Sequence, residues 1–218
     1  MKPNSDAGPP RFETRDPTRA EFWDERFAAR FTPWEAAGLP GAFDVLTASL
    51  IAPGRAPAKR VLVPGCGNGQ EIAWLAEQGF DVIGADISTE AVALARKRLP
   101  PALAERCVRH ADFFALADAP FDWIYERAFV AALPPAEWSR WAETCARLTR
   151  PDAFLAGYFC IETARTEPRR GPPFAATRDE LDLLLGLDFR LVRDIPIDPA
   201  LSAPVFAGRE RWIVWQRL

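Results

Sequence analysis

The stretch from Arg60 to Ser88, RVLVPGCGNGQEIAWLAEQGFDVIGADIS, decides the fold. Val61, Leu62 and Val63 form a short apolar run that reads as a buried strand, and glycines at 65, 67 and 69 break it into a turn. Ile72, Leu75 and Ala76 then share one helical face, and a second apolar run, Val82-Ile83-Gly84-Ala85, ends on Asp86. In such a strand, glycine turn, helix and strand, an acid about 20 positions after the first glycine brings a carboxylate within reach of a ribose. The unit predicts a nucleoside-containing cofactor at the carboxyl ends of the strands.

The details of the turn narrow the nucleoside. A dinucleotide site wants G-x-G-x-x-G, the third glycine allowing close helix–strand packing while a pyrophosphate sits on the helix N-terminus. Gln70 occupies that third position here, and the glycines follow G-x-G-x-G instead. No Lys-Ser/Thr pair follows, so the turn is not a phosphate-cradling P-loop. A glycine turn poor in phosphate features, followed by an acid at a strand end, suits S-adenosylmethionine, which carries a ribose and an adenine but no phosphate. The competing reading is a structural turn with no ligand; the complete strand–turn–helix–strand context weighs against it.

Composition sets the bounds. A chain of 218 residues is one domain and can bury roughly 70 % of its unfolded surface. The net charge is −3, and Lys and Arg are scattered rather than gathered in a stripe, which disfavours nucleic acid as a partner. Cys66, Cys107, Cys145 and Cys160 show no C-x-x-C spacing, so no metal is expected. Reduced thiols and the lack of a signal peptide or long apolar span lead to the expectation of a cytoplasmic protein outside any membrane. A monomer or weak dimer acting on a small-molecule acceptor is the expected state.

Residues 1–19 are polar and proline-bearing and read as a poorly ordered tail, leaving 20–218 as a single domain. Phe22, Trp23, Phe27, Phe31 and Trp34 then fall close together, with 23, 27 and 31 at helical spacing. Such a stripe packs a core or folds over a ligand, and its place before the cofactor unit makes an N-terminal helical lid, 20–52, a serious competitor. Thr32-Pro33 would end the first helix, and Gly41 to Ile51 reads as a second. A Pro53–Pro57 linker follows.

Ser88 is a good N-cap for the helix after the second strand, which Pro100-Pro101 stops. Cys107 to Phe114 looks like a third strand running into a loop. There Asp112 is either a solvated loop acid or a partner for an adenine amino group. His110, the only histidine, is the default general base, yet it could equally be a packed or surface ring. Phe121 to Phe129 contains the next strand, and its Glu126-Arg127 pair either faces the ligand crevice or pairs with a helix. Trp138, Trp141, Ala142, Cys145 and Leu148 make the core face of the following helix. Ala153 to Ile161 reads as a fifth strand, Thr177 as the cap of a short helix, and Phe189–Ile197 with Arg211–Arg217 as two closing strands. The class is α/β: a Rossmann-like, seven-stranded, mostly parallel sheet with helices on both faces and a C-terminal antiparallel hairpin.

V-L-V-P-G-C-G-N-G-Q-E followed by D-V-I-G-A-D-I-S resembles class I S-adenosylmethionine-dependent methyltransferases. Val63-Pro64 before the first glycine, F-W-D-E-R-F…T-P-W near the N-terminus and G-P-P-F at 171–174 resemble, more narrowly, the thiopurine S-methyltransferase superfamily with its plant thiol and halide methyltransferase branch. The resemblance covers about 20–218. It implies that Trp23, Phe27 and Trp34 line the cofactor site from the lid, that Gly65 meets the methionine part and that Gly67 is a further cofactor contact. It further implies that Asp86 holds the ribose hydroxyls, Ile87 packs on adenine, and Asp112 with Phe113 bounds the adenine end. Arg127 falls where thiopurine enzymes have an arginine near the transferred methyl, which makes it the catalytic candidate and a neighbour of the cofactor. Phe27 departs from the tryptophan often found there and lacks an indole donor.

The reaction expected is in-line displacement of a sulfonium-bound methyl by an acceptor sulfur. Holding two partners in near-attack geometry can supply about 7–11 kcal/mol, and a thiol of pKa about 8.5 is already partly thiolate at neutral pH, so a strong base is not required. Arg127 would bind the acceptor and favour its anion, with Phe31, Phe129, Phe159 and Phe174 as candidates for an apolar acceptor wall. Halide or metalloid methylation, an NAD-dependent oxidoreductase, and a non-catalytic cofactor-binding protein are the competing functions.

Overall fold

The computed structural model describes residues 10–35, 39–40, 42–48, 60–118, 120–165 and 167–218. The strands are β1 (Arg60–Pro64), β2 (Asp81–Asp86), β3 (Val108–His110), β4 (Phe121–Arg127), β5 (Thr149–Glu162), β6 (Ala176–Thr177), β7 (Phe189–Pro196) and β8 (Glu210–Arg217). The helices are α1 (Ala20–Ala28), α2 (Phe43–Ala48), α3 (Gln70–Glu77), α4 (Thr89–Arg98), α5 (Pro101–Cys107), α6 (Phe129–Ala132), α7 (Trp138–Leu148) and α8 (Arg178–Leu185).

Seven strands follow the order β3-β2-β1-β4-β5-β8-β7, and the two-residue β6 joins the end of β5. Strands β1 to β5 on this path are parallel, while β8 runs antiparallel between β5 and β7. The chain builds outward from β1 to β3 and then returns to lay β4 on the other side of β1. Open α/β sheets leave a crevice at such a reversal, outside the carboxyl ends of the strands.

Strand residues alternate between two cores, which is why the apolar runs are continuous. Val61, Val63, Val82, Trp123 and Tyr125 pack with Ile72, Leu75, Val92 and Ala95 of α3 and α4. Leu62, Ile83, Ile124 and Leu155 face the opposite way, against Trp141, Cys145 and Leu148 of α7 and Leu181 and Leu185 of α8. All four cysteines are buried free thiols. Among the described residues no helix is long and apolar enough to cross a membrane, and no cluster of metal-ligating side chains occurs.

Two sequence expectations need correcting. Cys107 ends a helix rather than opening a strand, because Pro101 sits at the first helical position and starts α5, leaving β3 only three residues long. Phe189, Leu191, Ile195 and Ile197 alternate in the sequence around polar Arg193, but β7 carries a bulge between Leu191 and Arg193 at the sheet edge, and Leu191 is 43 % exposed. Residues 12–14 contact α1 and the turn after it. The Glu13 and Thr14 N–H groups and the Thr14 hydroxyl all donate to the Glu25 carboxylate of α1, and Phe12 stacks on Phe31 at 5.5 Å. Residues 1–9 of the expected tail, parts of the second helix (41 and 49–51) and the Pro53–Pro57 linker lie outside the described residues.

Candidate active site

The glycine turn leaves β1 with Gly65, Gly67 and Gly69 at φ +57°, +52° and +75°. These left-handed conformations are open to glycine at little cost. At Gly65 space matters as well, since a Cβ would stand 2.6 Å from the Phe129 ring. The close helix–strand approach that a third turn glycine usually provides is supplied from the strand instead. A Cβ on Gly84 of β2 would meet Ile72 Cδ1 at 2.2 Å and Cys66 Cβ at 3.0 Å. Gly84→Ala should therefore destabilise the fold by about 1–3 kcal/mol through overpacking, seen as a lower denaturant midpoint; an unchanged midpoint would show that α3 has room to retreat.

Asp86 closes β2 directly beneath this turn, buried at 6 % exposure. One carboxylate oxygen accepts the Gly67 N–H at 2.9 Å and the other the Ser88 N–H at 2.8 Å. Burial nonetheless pushes its carboxyl up to about 6; the Ser88 and Gly67 N–H groups and His110 pull the other way, while Asp24 adds to the rise. Ser88 caps α4 as expected, its hydroxyl accepting the Ala91 N–H at 3.1 Å.

At the end of β4 the two halves of the Glu126-Arg127 pair diverge. Glu126 is fully buried, and one of its oxygens accepts the N–H groups of Phe129 and Val130 at 2.8 and 3.0 Å. That caps the first turn of α6 and holds Ala128 in the left-handed conformation, φ +61°. Burial raises the Glu126 carboxyl to about 8. Arg127 turns to the cavity, where its Nη1 lies 2.9 Å from Glu71 Oε1 of α3. Both readings of this arginine hold together: it lines the crevice and it pairs with a helix. Its Nε and the neighbouring Tyr125 Oη are buried with no hydrogen-bond partner among the described residues.

The N-terminal segment covers the crevice. Asp24 accepts from the Ser88 hydroxyl at 2.6 Å and from the Glu90 N–H at 3.2 Å, fastening α1 to the N-terminus of α4, where a carboxylate is favoured. This fixes the aromatic face. The Trp34 ring stands edge-on to Trp23 at 5.5 Å and to Phe27 at 5.9 Å. The Trp23 indole N–H donates to Pro17 O at 2.8 Å, so its donor is already engaged. The contrast with Phe27 is smaller than sequence suggests.

Together these elements enclose a cavity of about 740 Å³. Its lining includes the ten residues expected at the cofactor: Trp23, Phe27, Trp34, Gly65, Gly67, Asp86, Ile87, Asp112, Phe113 and Arg127. Gly171, Pro172 and Pro173 of the G-P-P-F segment and the aromatic rings of Phe31 and Phe129 also line it. Phe159 does not; it is buried against Trp215, and Phe174 packs on the same core. His110 is exposed outside the cavity, its Nε2 donating to Ile87 O at 3.0 Å, so it is not placed as a base. Asp112 accepts the Phe114 N–H at 2.9 Å and caps a single helical turn while still facing the cavity. Sequence reasoning missed Asp24, Glu25 and Glu71. Their partners are distant in the chain, and no local pattern marks them.

Residues 18–218 match the family model described as Thiopurine S-methyltransferase (TPMT). A thiopurine S-methyltransferase of Azotobacter vinelandii is 34 % identical over 180 residues, covering 75 % of this chain and 78 % of that protein. A probable thiol methyltransferase 2 of Arabidopsis thaliana is 30 % identical over 201 residues, covering 89 % and 84 %. Among solved structures, magnesium protoporphyrin IX methyltransferase from Synechocystis superposes with a TM-score of 0.70 at 18 % identity, covering 95 % of this chain and all of that one, a likeness of fold.

Proposed function

The chain belongs to the thiopurine S-methyltransferase family, and on that premise we propose that it transfers the methyl group of S-adenosylmethionine to the sulfur of a small thiol or thiopurine. When bound, the cofactor supplies an electrophilic methyl carried on a sulfonium. The observation that carries this reading is Asp86, a buried carboxylate at the end of β2 whose two oxygens are fixed by backbone N–H groups of the glycine turn and of the following helix cap. Held this way, its remaining lone pairs are set to accept two vicinal ribose hydroxyls.

Around it, Ile87, Asp112 and Phe113 bound the adenine, and Gly65 and Gly67 admit the methionine part. Trp23, Phe27 and Trp34 offer aromatic faces to the sulfonium, worth about 0.5–2 kcal/mol each when desolvated. Residues from 20 onward act as one catalytic domain, its N-terminal segment serving as the lid. Arg127 binds the acceptor and favours its thiolate, which removes the need for a strong base. The four buried thiols support a reducing, cytoplasmic setting.

The decisive experiment incubates the protein with methyl-labelled cofactor and a panel of thiols, thiopurines, halides and metalloid anions. Label should appear in methyl thioethers; label carried only by halides or metalloids, or by nothing, would reject S-methylation. Asp86 adds a pH signature. Its carboxyl sits near 6, and only the ionised form accepts from both hydroxyls, so affinity should rise with pH through about 6 and level off above 7. Calorimetry with S-adenosylhomocysteine should show binding roughly tenfold weaker at pH 5 than at pH 7; a flat profile would separate Asp86 from the ligand.

A further inference from the structure

The cations of the cavity wall are not all matched by acids. Arg127 pairs with Glu71, and Arg140 with Glu137. Arg26 of α1 has no carboxylate partner among the described residues, although it is half-buried on the same cavity. Its guanidinium carbon lies 3.2 Å from the Phe22 ring centre and 4.3 Å from that of Phe12, and Nη1 donates to Phe22 O at 2.6 Å. The adjacent acid, Glu25, has its carboxylate committed to the 13–14 backbone and the Thr14 hydroxyl. Burial works against the charge of Arg26, and the neighbouring Glu25 carboxylate offsets part of that without pairing with it. Arg15, exposed on the same wall, likewise has no ion pair among the described residues.

We propose that Arg26, assisted by Arg15, forms an anion subsite for a carboxylate carried by the methyl acceptor, so that the enzyme prefers aromatic thiols bearing a carboxylate over neutral ones. The proposal rests on the S-methyltransferase reading and narrows its substrate class. Nη1 donates to Phe22 O, and the guanidinium has further N–H donors in a planar fork of the kind that suits a planar carboxylate. In a partly water-excluded cavity the attraction is stronger than at an open surface. Phe31, exposed on the same wall, suits the aromatic body of such a molecule. The cofactor also carries a carboxylate, so the test must tell the two apart.

The experiment compares the parent protein with R26Q and R26K, first confirming by circular dichroism and melting that each is folded. Turnover is measured on thiophenol and on 2-, 3- and 4-mercaptobenzoate. The parent should favour at least one mercaptobenzoate over thiophenol by tenfold or more in kcat/KM, about 1.4 kcal/mol. R26Q should lose that preference through a raised KM, and R26K should keep most of it. No preference in the parent, or a preference that survives in R26Q, overturns the proposal. A fall of more than threefold in S-adenosylhomocysteine affinity in R26Q would assign Arg26 to the cofactor and also overturn it. If the parent methylates no thiol, the S-methyltransferase reading fails. The subsite is then read by calorimetry of the (methylthio)benzoates against thioanisole on the S-adenosylhomocysteine complex. A tenfold preference erased by R26Q upholds it, and equal binding rejects it. Should R26Q fail to fold, the parent's own preference and its retention in R26K decide in the same way.

Discussion

Asp86→Ala should weaken S-adenosylhomocysteine binding roughly hundredfold, about 2.7 kcal/mol. Two losses combine. The ribose hydroxyls lose a charged acceptor, worth about 1.5–3 kcal/mol for a single such bond. The Gly67 and Ser88 N–H groups lose the oxygens that hold the glycine turn against the start of α4, so the empty site is also less well formed. Asparagine is no rescue: both carboxylate oxygens accept N–H donors, and an amide would set its NH₂ against one of them. Asp86→Asn should therefore bind weakly as well and lose the pH dependence around 6. Titration calorimetry on the three proteins is the check; binding within threefold of the parent in both variants would remove Asp86 from the ligand site.

Arg127→Ala should damage both stability and turnover, and the two effects can be separated. The Arg127–Glu71 pair is nearly buried, with side-chain exposures of 12 % and 10 %. Removing one partner leaves the other charge uncompensated, which typically costs about 3–5 kcal/mol. For a chain of this size that lowers the melting temperature by on the order of 10 °C. The double variant Glu71→Gln with Arg127→Met removes both charges while keeping their bulk, so its melting temperature should recover most of the loss. Its turnover on thiols should stay low if the guanidinium meets the acceptor. Recovery of turnover together with stability would mean that Arg127 only braces α3 against β4. An Arg127→Ala protein that melts with the parent would mean the pair carries no net stabilisation.

The corrections share a cause with the successes. Patterns confined to neighbouring residues are readable: the apolar runs of β1 and β2, the caps at Ser88 and at Thr177, and the face of α7. Where two local signals competed, sequence misjudged. Pro101 reads as the end of α4, yet a proline at the first helical position also starts a helix, and α5 displaces most of the third strand. The four phenylalanines proposed for the acceptor wall divided evenly: Phe31 and Phe129 line the cavity, while Phe159 and Phe174 pack on the core. A ring looks the same in sequence whichever side of a sheet it faces.

The sequence by itself determined the kind of site, because glycine spacing, strand periodicity and a closing acid all act within one short segment. It placed Asp86 at a strand end and gathered the aromatic residues before it. Only the tertiary structure decided how those groups are held. Asp24 fastens α1 to α4 from 64 residues away in the chain, Glu71 meets Arg127 across 56, and Gly84 makes room for Ile72 from the neighbouring strand. Each of these depends on a distance in space between charges or surfaces. No local pattern encodes that distance; it is set when the sheet brings the carboxyl ends of β1, β2 and β4 together and burial strengthens each pairing.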